Sequence, residues 1–177
     1  DELKTTKIKL AETEAAAKLT GVFEKFVPKE FMNRIAPEGL ENLIFGHAES
    51  DFVTILFSDI RAFTEISEHL SPQELMDFLN GYLREMNPPI MEHQGFVDKF
   101  IGDAIMAVFD QPDKTDADEA ENALDAALGM QKVLVQLNQK RKKLKLDPVS
   151  IGIGIHSGNV IIGTVGFEER MDSTVLG

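Results

Sequence analysis

Six consecutive residues, Phe52-Val53-Thr54-Ile55-Leu56-Phe57, restrict this chain more than any other feature. An almost unbroken apolar run rich in β-branched and aromatic residues reads as a buried strand. It ends at Ser58-Asp59, where the polarity changes abruptly. The full length of 177 residues is about one domain. A chain of that size buries roughly 70% of its unfolded surface in a single core.

The rest of the sequence supplies what such a strand packs against. Residues 71–92 carry three helix-start signals in Ser71, Pro72 and Glu74, followed by Leu75, Phe78, Leu79, Tyr82, Leu83 and Met86 at helical spacing. Pro88-Pro89 is expected to kink or end that helix. Gly95–Phe100 and Ala104–Phe109, joined by Ile101-Gly102-Asp103, read as a hairpin. An acidic stretch from Asp110 to Glu121 leads into a helix over 117–139, with Ala120, Leu124, Ala127, Leu128, Leu134 and Leu137 on its apolar side. Lys140-Arg141-Lys142-Lys143 closes it, where cations complement a helix C-terminus. Ser150–His156 and Val160–Gly166 suggest a second hairpin around Ser157-Gly158-Asn159, and Arg170–Gly177 begins a further loop and strand. Strand, helix, hairpin, helix, hairpin is an α+β order, with an antiparallel-rich sheet of the split βαβ, ferredoxin-like kind.

Ahead of this lies an N-terminal helix. Leu3, Leu10 and Ala17 recur every seven residues, which fits either a short coiled-coil seam or a solvated helix. Gly21 and Pro28 interrupt that pattern, and Val22, Phe23, Phe26, Val27, Phe31, Met32 and Ile35 form an apolar cluster after it. The expected division is a helix over 1–21 and a domain over 22–177.

Charge and composition exclude several functions. Eighteen basic against 30 acidic residues give a net charge of −12, opposite to what phosphate-backbone binding requires, so no nucleic-acid partner is expected. The absence of cysteine removes disulfides, thiolate zinc sites and cysteine nucleophiles, and fits a reducing, cytoplasmic setting. No apolar run approaches the roughly 20 residues of a membrane span. No membrane contact by this segment is expected, although membrane attachment of a parent protein stays open.

Two aspartates stand at strand ends: Asp59 after the first strand and Asp103 in the hairpin turn. If those strands are neighbours, both carboxylates meet at one edge of the sheet, a donor set suited to Mg²⁺ with phosphate oxygens completing the shell. The segment Ile60-Arg61-Ala62-Phe63-Thr64 turns from strand to helix and offers backbone N–H groups to phosphate. Aspartate is also an ordinary turn and capping residue, and these positions alone leave both readings open. The histidines at 47, 69, 93 and 156 lack paired ligand spacing and read as structural or exposed. Lys99 is unusual within an apolar strand, yet lysines there commonly snorkel to solvent.

Four segments taken together are more specific than any one. Phe57-Ser58-Asp59-Ile60-Arg61-Ala62-Phe63-Thr64, Asp98-Lys99-Phe100-Ile101-Gly102-Asp103-Ala104, Gly152-Ile153-Gly154-Ile155-His156-Ser157-Gly158 and Asp172-Ser173-Thr174-Val175-Leu176-Gly177 closely resemble class III nucleotide cyclases. The resemblance is greatest to bacterial adenylate cyclases of the cyanobacterial type, and Phe26-Val27-Pro28-Lys29-Glu30-Phe31 is similar to the segment that opens those domains. It runs in register from about residue 22 to the end.

The resemblance implies a head-to-tail homodimer making cyclic AMP from ATP, with active sites at the subunit interface and an upstream sensory domain. It implies that Asp59 and Asp103, with the Ile60 carbonyl, hold two divalent cations (Mg²⁺ or Mn²⁺), and that the N–H groups at Phe63 and Thr64 meet the phosphates. Lys99 and Thr174 of the partner would then recognise adenine; guanylate cyclases of the family usually carry glutamate at the Lys99 position. Two departures follow. Relatives continue into a helix bearing an asparagine and an arginine that stabilise the transition state; this sequence stops before both, so the set is either completed beyond it or left incomplete. Asn159 stands where some relatives place a basic residue. A non-catalytic nucleotide-binding or dimerisation module and a guanylate cyclase are the competing expectations.

Overall fold

The computed structural model describes residues 48–167 and 170–177, with positions 18, 21, 27, 32, 34 and 46 before them. Of the expected N-terminal helix and the apolar cluster after it, only Lys18, Gly21, Met32 and Arg34, all helical, and Val27 fall within the description. The heptad positions Leu3, Leu10 and Ala17 lie outside it. The chain divides into two compact units: Ala48–Ile162 with Thr174–Gly177, and Asp1–His47 with Gly163–Ser173. In the second, the Gly46 N–H donates to Thr164 Oγ1 at 3.2 Å.

The elements are β1 (Ala48–Ile60), α1 (Phe63–Glu68), α2 (Pro72–Glu92), β2 (Phe96–Ile101), β3 (Ala104–Phe109), α3 (Asp116–Lys143), β4 (Ile151–Phe167) and β5 (Arg170–Leu176). The sheet order is β2-β3-β1-β4-β5. β1 connects through helices to β2 with β3 antiparallel between them, which is the split βαβ arrangement expected from the element order. The expected 52–57 strand is the middle of β1.

Register decides which face each residue takes. Thr54, Leu56 and Ser58 lie opposite Phe109, Ala107 and Ile105. The apolar members of this set belong to the core with Ile60, Tyr82, Met86, Ile90, Ala123, Ala126, Met130 and Leu134 from β1 and the two long helices. The alternate residues Ile55 and Phe57 face away from that core, and Phe57 is 44% exposed. β1 is therefore sealed on its helix side and opens at Phe57 on the other.

Local signals set the helix starts. At α2 the Ser71 hydroxyl accepts from the Glu74 N–H while the Glu74 carboxylate accepts from the Ser71 N–H, with proline in the first turn. Thr115 and Asp118 make the same reciprocal pair at α3, so that helix begins inside the acidic stretch. Its four C-terminal cations sit in the last turn as expected.

Three expectations need correction. Of the two outcomes expected at Pro88-Pro89, the end does not occur: α2 runs through both to Glu92. Pro89 and Ile90 are buried, and the Pro89 ring lies where a Cβ on Gly129 of α3 would come within 3.0 Å. Helix–helix packing at this crossing outweighs the hydrogen bonds the prolines omit. The buried face of α3 is Glu119, Ala123, Ala126, Ala127, Met130 and Leu134, whereas Leu124 and Leu128 are half-exposed. Alanines at 123, 126 and 127 share that face with the larger Met130 and Leu134. The second hairpin does not form. β4 is continuous through Ser157-Gly158-Asn159, where the Thr54 and Ser157 hydroxyls share a 2.7 Å hydrogen bond. Neither Gly158 nor Asn159 takes the positive φ that a two-residue hairpin turn demands. Among the described residues no helix is long and apolar enough to cross a membrane.

Candidate active site

The β2–β3 turn and the end of β1 come together at one edge. Gly102 takes φ 63°, which permits the tight turn from Ile101 to Ala104 and leaves Asp103 pointing toward β1. Asp103 Oδ2 accepts the Ile60 N–H at 2.9 Å. This bond ties one carboxylate to the peptide that follows Asp59. The Asp59 side chain is 55% exposed, on the face opposite the core. Both aspartates and Ile60 thus occupy one corner. Among the described residues no group of three or more His, Cys, Asp or Glu is placed to hold a metal ion. Two carboxylates with a nearby carbonyl fit a hard divalent cation whose remaining ligands are waters or phosphate oxygens.

Beneath this corner lies Tyr82, 2% exposed on α2. Burial pushes its phenol above the ordinary tyrosine pKa, the charges of Asp103 and Asp59 push it further, and the nearby Ser58 hydroxyl opposes them. A phenol in that setting stays neutral. The buried Tyr82 and Ser58 hydroxyls both lack a well-formed hydrogen bond.

Arg61 Nη1 stands 3.9 Å from Asp59 Oδ1, and the Arg61 N–H donates to the Ser150 carbonyl at 2.9 Å, fastening the end of β1 to the lead-in of β4. The guanidinium lies against Gly152, where any Cβ would collide with it. Asp59, Arg61, Ser58, Ala104 and Gly152 line a cavity of about 340 Å³. Phe63 and Thr64 are the first two residues of α1, after Ala62 in the left-handed region (φ 56°) and with no side-chain cap.

A larger cavity, about 630 Å³, opens on the sheet face away from the helices. Lys99 and Thr174 both line it, with Met106, His156 and Asn159, and it shares Phe57 and Gly154 with the smaller one. The structure therefore brings Asp59 to Asp103, and Lys99 to Thr174, as two neighbouring sites. Lys99 is 30% exposed at its side chain, with Nζ 3.6 Å from Asp98 Oδ2; it does not simply reach into solvent. From the sequence Phe57 and Arg61 stand out only as parts of a longer segment and His156 reads as structural or exposed, yet Phe57 and His156 line the larger cavity and Phe57 and Arg61 the smaller. The signal for Phe57 and Arg61 was period-2 alternation, which places both with Asp59 on one face.

Residues 45–173 match the adenylate and guanylate cyclase catalytic domain. An adenylate cyclase of Anabaena cylindrica is 50% identical over 159 residues, covering 88% of this chain and 30% of that protein. A terminal-differentiation-specific adenylate cyclase of Dictyostelium discoideum is 45% identical over 159 residues, covering 90% of this chain and 7% of that protein. The chain thus spans less than a third of either relative. The solved adenylyl cyclase CyaB from P. aeruginosa superposes with a TM-score of 0.68 at 36% identity, over 74% of this chain and 68% of that one. The guanylyl cyclase Cya2 gives 0.66 at 38%, over 73% and 66%. With the sheet order, the paired aspartates and these matches in agreement, the chain belongs to the class III adenylate and guanylate cyclase catalytic-domain family.

Proposed function

We propose that this domain is an adenylate cyclase, converting ATP to 3′,5′-cyclic AMP and pyrophosphate in a head-to-tail homodimer. The observation that carries the reading is the 2.9 Å bond from the Ile60 N–H to Asp103, which sets two carboxylates at one corner. A cavity shared by Lys99 and Thr174 opens beside that corner. Within one chain Asp59 and the Lys99–Thr174 pair line different cavities. That separation suits a site assembled from two subunits, one supplying carboxylates and the other recognising the base.

In the reaction the ribose 3′-oxygen bonds to the α-phosphorus, the bond from that phosphorus to the β-phosphate bridge breaks, and the hydroxyl proton leaves to solvent. Asp59 and Asp103, with the Ile60 carbonyl, would hold two divalent cations, Mg²⁺ or Mn²⁺. When bound, these lower the 3′-hydroxyl pKa and offset charge on the triphosphate. The N–H groups of Phe63 and Thr64 meet phosphate oxygens, and the partner's Lys99 and Thr174 orient adenine. The chain's contribution is positioning and charge stabilisation.

Guanylyl cyclase is the second reading, since a solved one superposes as well as an adenylyl cyclase does. Lys99 favours ATP because it donates to a purine-edge acceptor that guanine presents differently. The test is cyclic nucleotide production from ATP and from GTP, with Mg²⁺ and with Mn²⁺, by the full-length protein containing this domain. An Asp59→Ala control runs beside it. Cyclic AMP that disappears in the control is the expected result. Cyclic GMP as main product overturns the purine assignment, and no product from a folded ATP-binding protein makes this a regulatory module.

A further inference from the structure

Lys99 reaches its cavity through an irregularity in β2. Phe96 and Val97 pair with Val108 and Ala107, but Lys99 pairs with Met106, so the register shifts by one residue between Val97 and Lys99. Had the first register continued, Lys99 would stand opposite Ile105, which is 0% exposed and part of the helix-side core. A one-residue shift reverses the face of everything after it. Val97 accordingly packs against the core while Lys99, two positions on, lines the opposite cavity. Bulges beside binding sites commonly re-aim a side chain in this way.

The residue inside the bulge is Asp98. Consecutive side chains of a regular strand point to opposite faces, yet here the Asp98 and Lys99 head groups approach to 3.6 Å. The Asp98 side chain is 0% exposed, and a carboxylate so enclosed is costly unless a cation stands close. Lysine carries four rotatable bonds and loses considerable rotamer freedom when held. A fixed buried charge beside the ammonium removes much of that freedom before the nucleotide arrives. Asp98 itself is not among the cavity-lining residues.

We propose that Asp98 is the positioning residue for Lys99: the bulge it occupies turns Lys99 onto the cavity face, and its carboxylate holds the ammonium at the purine-recognition position. Purine selectivity then depends on a residue that touches no nucleotide. The inference rests on the reading of Lys99 as the adenine-recognising group, and the test separates the two.

In the full-length protein, kcat/KM for ATP and for GTP is measured for Asp98→Asn, Lys99→Ala and the double variant, with far-UV circular dichroism to verify folding. Asp98→Asn should lower the ATP-to-GTP ratio about tenfold, chiefly through KM for ATP. Lys99→Ala should lower it at least as far, and the double variant no further than Lys99→Ala alone. A folded Asp98→Asn protein that keeps the wild-type ratio, or loses both nucleotides equally, overturns the role of Asp98 while leaving that of Lys99 standing. An unchanged ratio in Lys99→Ala overturns both. Should Asp98→Asn not fold, Asp98→Glu displaces the charge by one methylene and should lower the ratio several-fold; an unchanged ratio there also overturns the proposal.

Discussion

The two aspartates look alike in the sequence, but replacing each by alanine should have different effects on stability. Asp103 Oδ2 accepts the Ile60 N–H at 2.9 Å, and Ile60 is 4% exposed. Asp103→Ala leaves that N–H unpaired at the inner edge of the sheet. A hydrogen bond to a charged acceptor contributes about 1.5–3 kcal/mol. The lower end applies here because Asp103 borders solvent. A loss of about 1.5 kcal/mol lowers Tm by roughly 3–6 °C in a domain of this size. Asp103→Asn keeps an accepting oxygen and should lose less than half as much. Asp59, 55% exposed at its side chain, has only the 3.9 Å contact with Arg61. An exposed pair of that kind contributes little, so Asp59→Ala should stay within about 0.5 kcal/mol of the parent. The protein lacks tryptophan, so unfolding is best followed by far-UV circular dichroism, with and without Mg²⁺ or Mn²⁺. A cation that binds the native corner at about 100 times its Kd adds about 2.7 kcal/mol, and both alanine variants should lose that increment. Equal destabilisation by the two substitutions, or none from Asp103→Ala, would show that the carboxylate is not tied to β1. A cation increment surviving in either variant would refute the shared metal site.

Other perturbations follow from single contacts. A Cβ at Gly95 would lie 2.5 Å from Cε1 of the fully buried Phe109, so Gly95→Ala should cost about 1–3 kcal/mol by urea unfolding; a neutral result would mean the ring has room to move. Asn138 bonds both ways with Val149, giving its Nδ2 to the carbonyl at 2.7 Å and accepting the N–H at 2.8 Å. Asn138→Ala leaves both backbone groups of a buried residue without that partner and should cost about 2–3 kcal/mol by the same measurement. Burial raises the Glu119 carboxyl above its ordinary value, although the Gln111 N–H donates to it. A raised carboxyl favours the protonated folded form, a contribution present in full below the unfolded value and lost as pH rises through the folded one. Glu119→Gln should therefore raise Tm at pH 7–8, with the gain shrinking toward pH 4; a gain that grows on acidification would reverse the assignment.

Much of this molecule follows from local chemistry alone. The β1 strand, the reciprocal cap at Ser71 and Glu74, and the glycine turn before Asp103 depend on neighbours within a few residues, so each was legible in the sequence. So was the family, through motifs spread over the chain. The run expected to be buried, however, leaves Phe52 and Phe57 exposed. Tertiary contacts decided the rest. Pro88 and Pro89 remain inside α2 because Pro89 packs against Gly129, a partner 40 residues away in the sequence. α3 turned Ala123, Ala126 and Ala127 inward beside Met130 and Leu134 and left Leu124 and Leu128 half-exposed. Ser157-Gly158-Asn159 stayed extended because β1 offered Thr54 as a partner. The site shows the same division. Aspartates at two strand ends were visible from the start, but their meeting depended on β3 lying beside β1. The register shift that turns Lys99 toward Thr174 has no sequence signature, because it is set by the partner strand. Propensity acts over a few residues, whereas register and packing are settled among segments far apart in sequence, and the chemistry of this domain depends on the second.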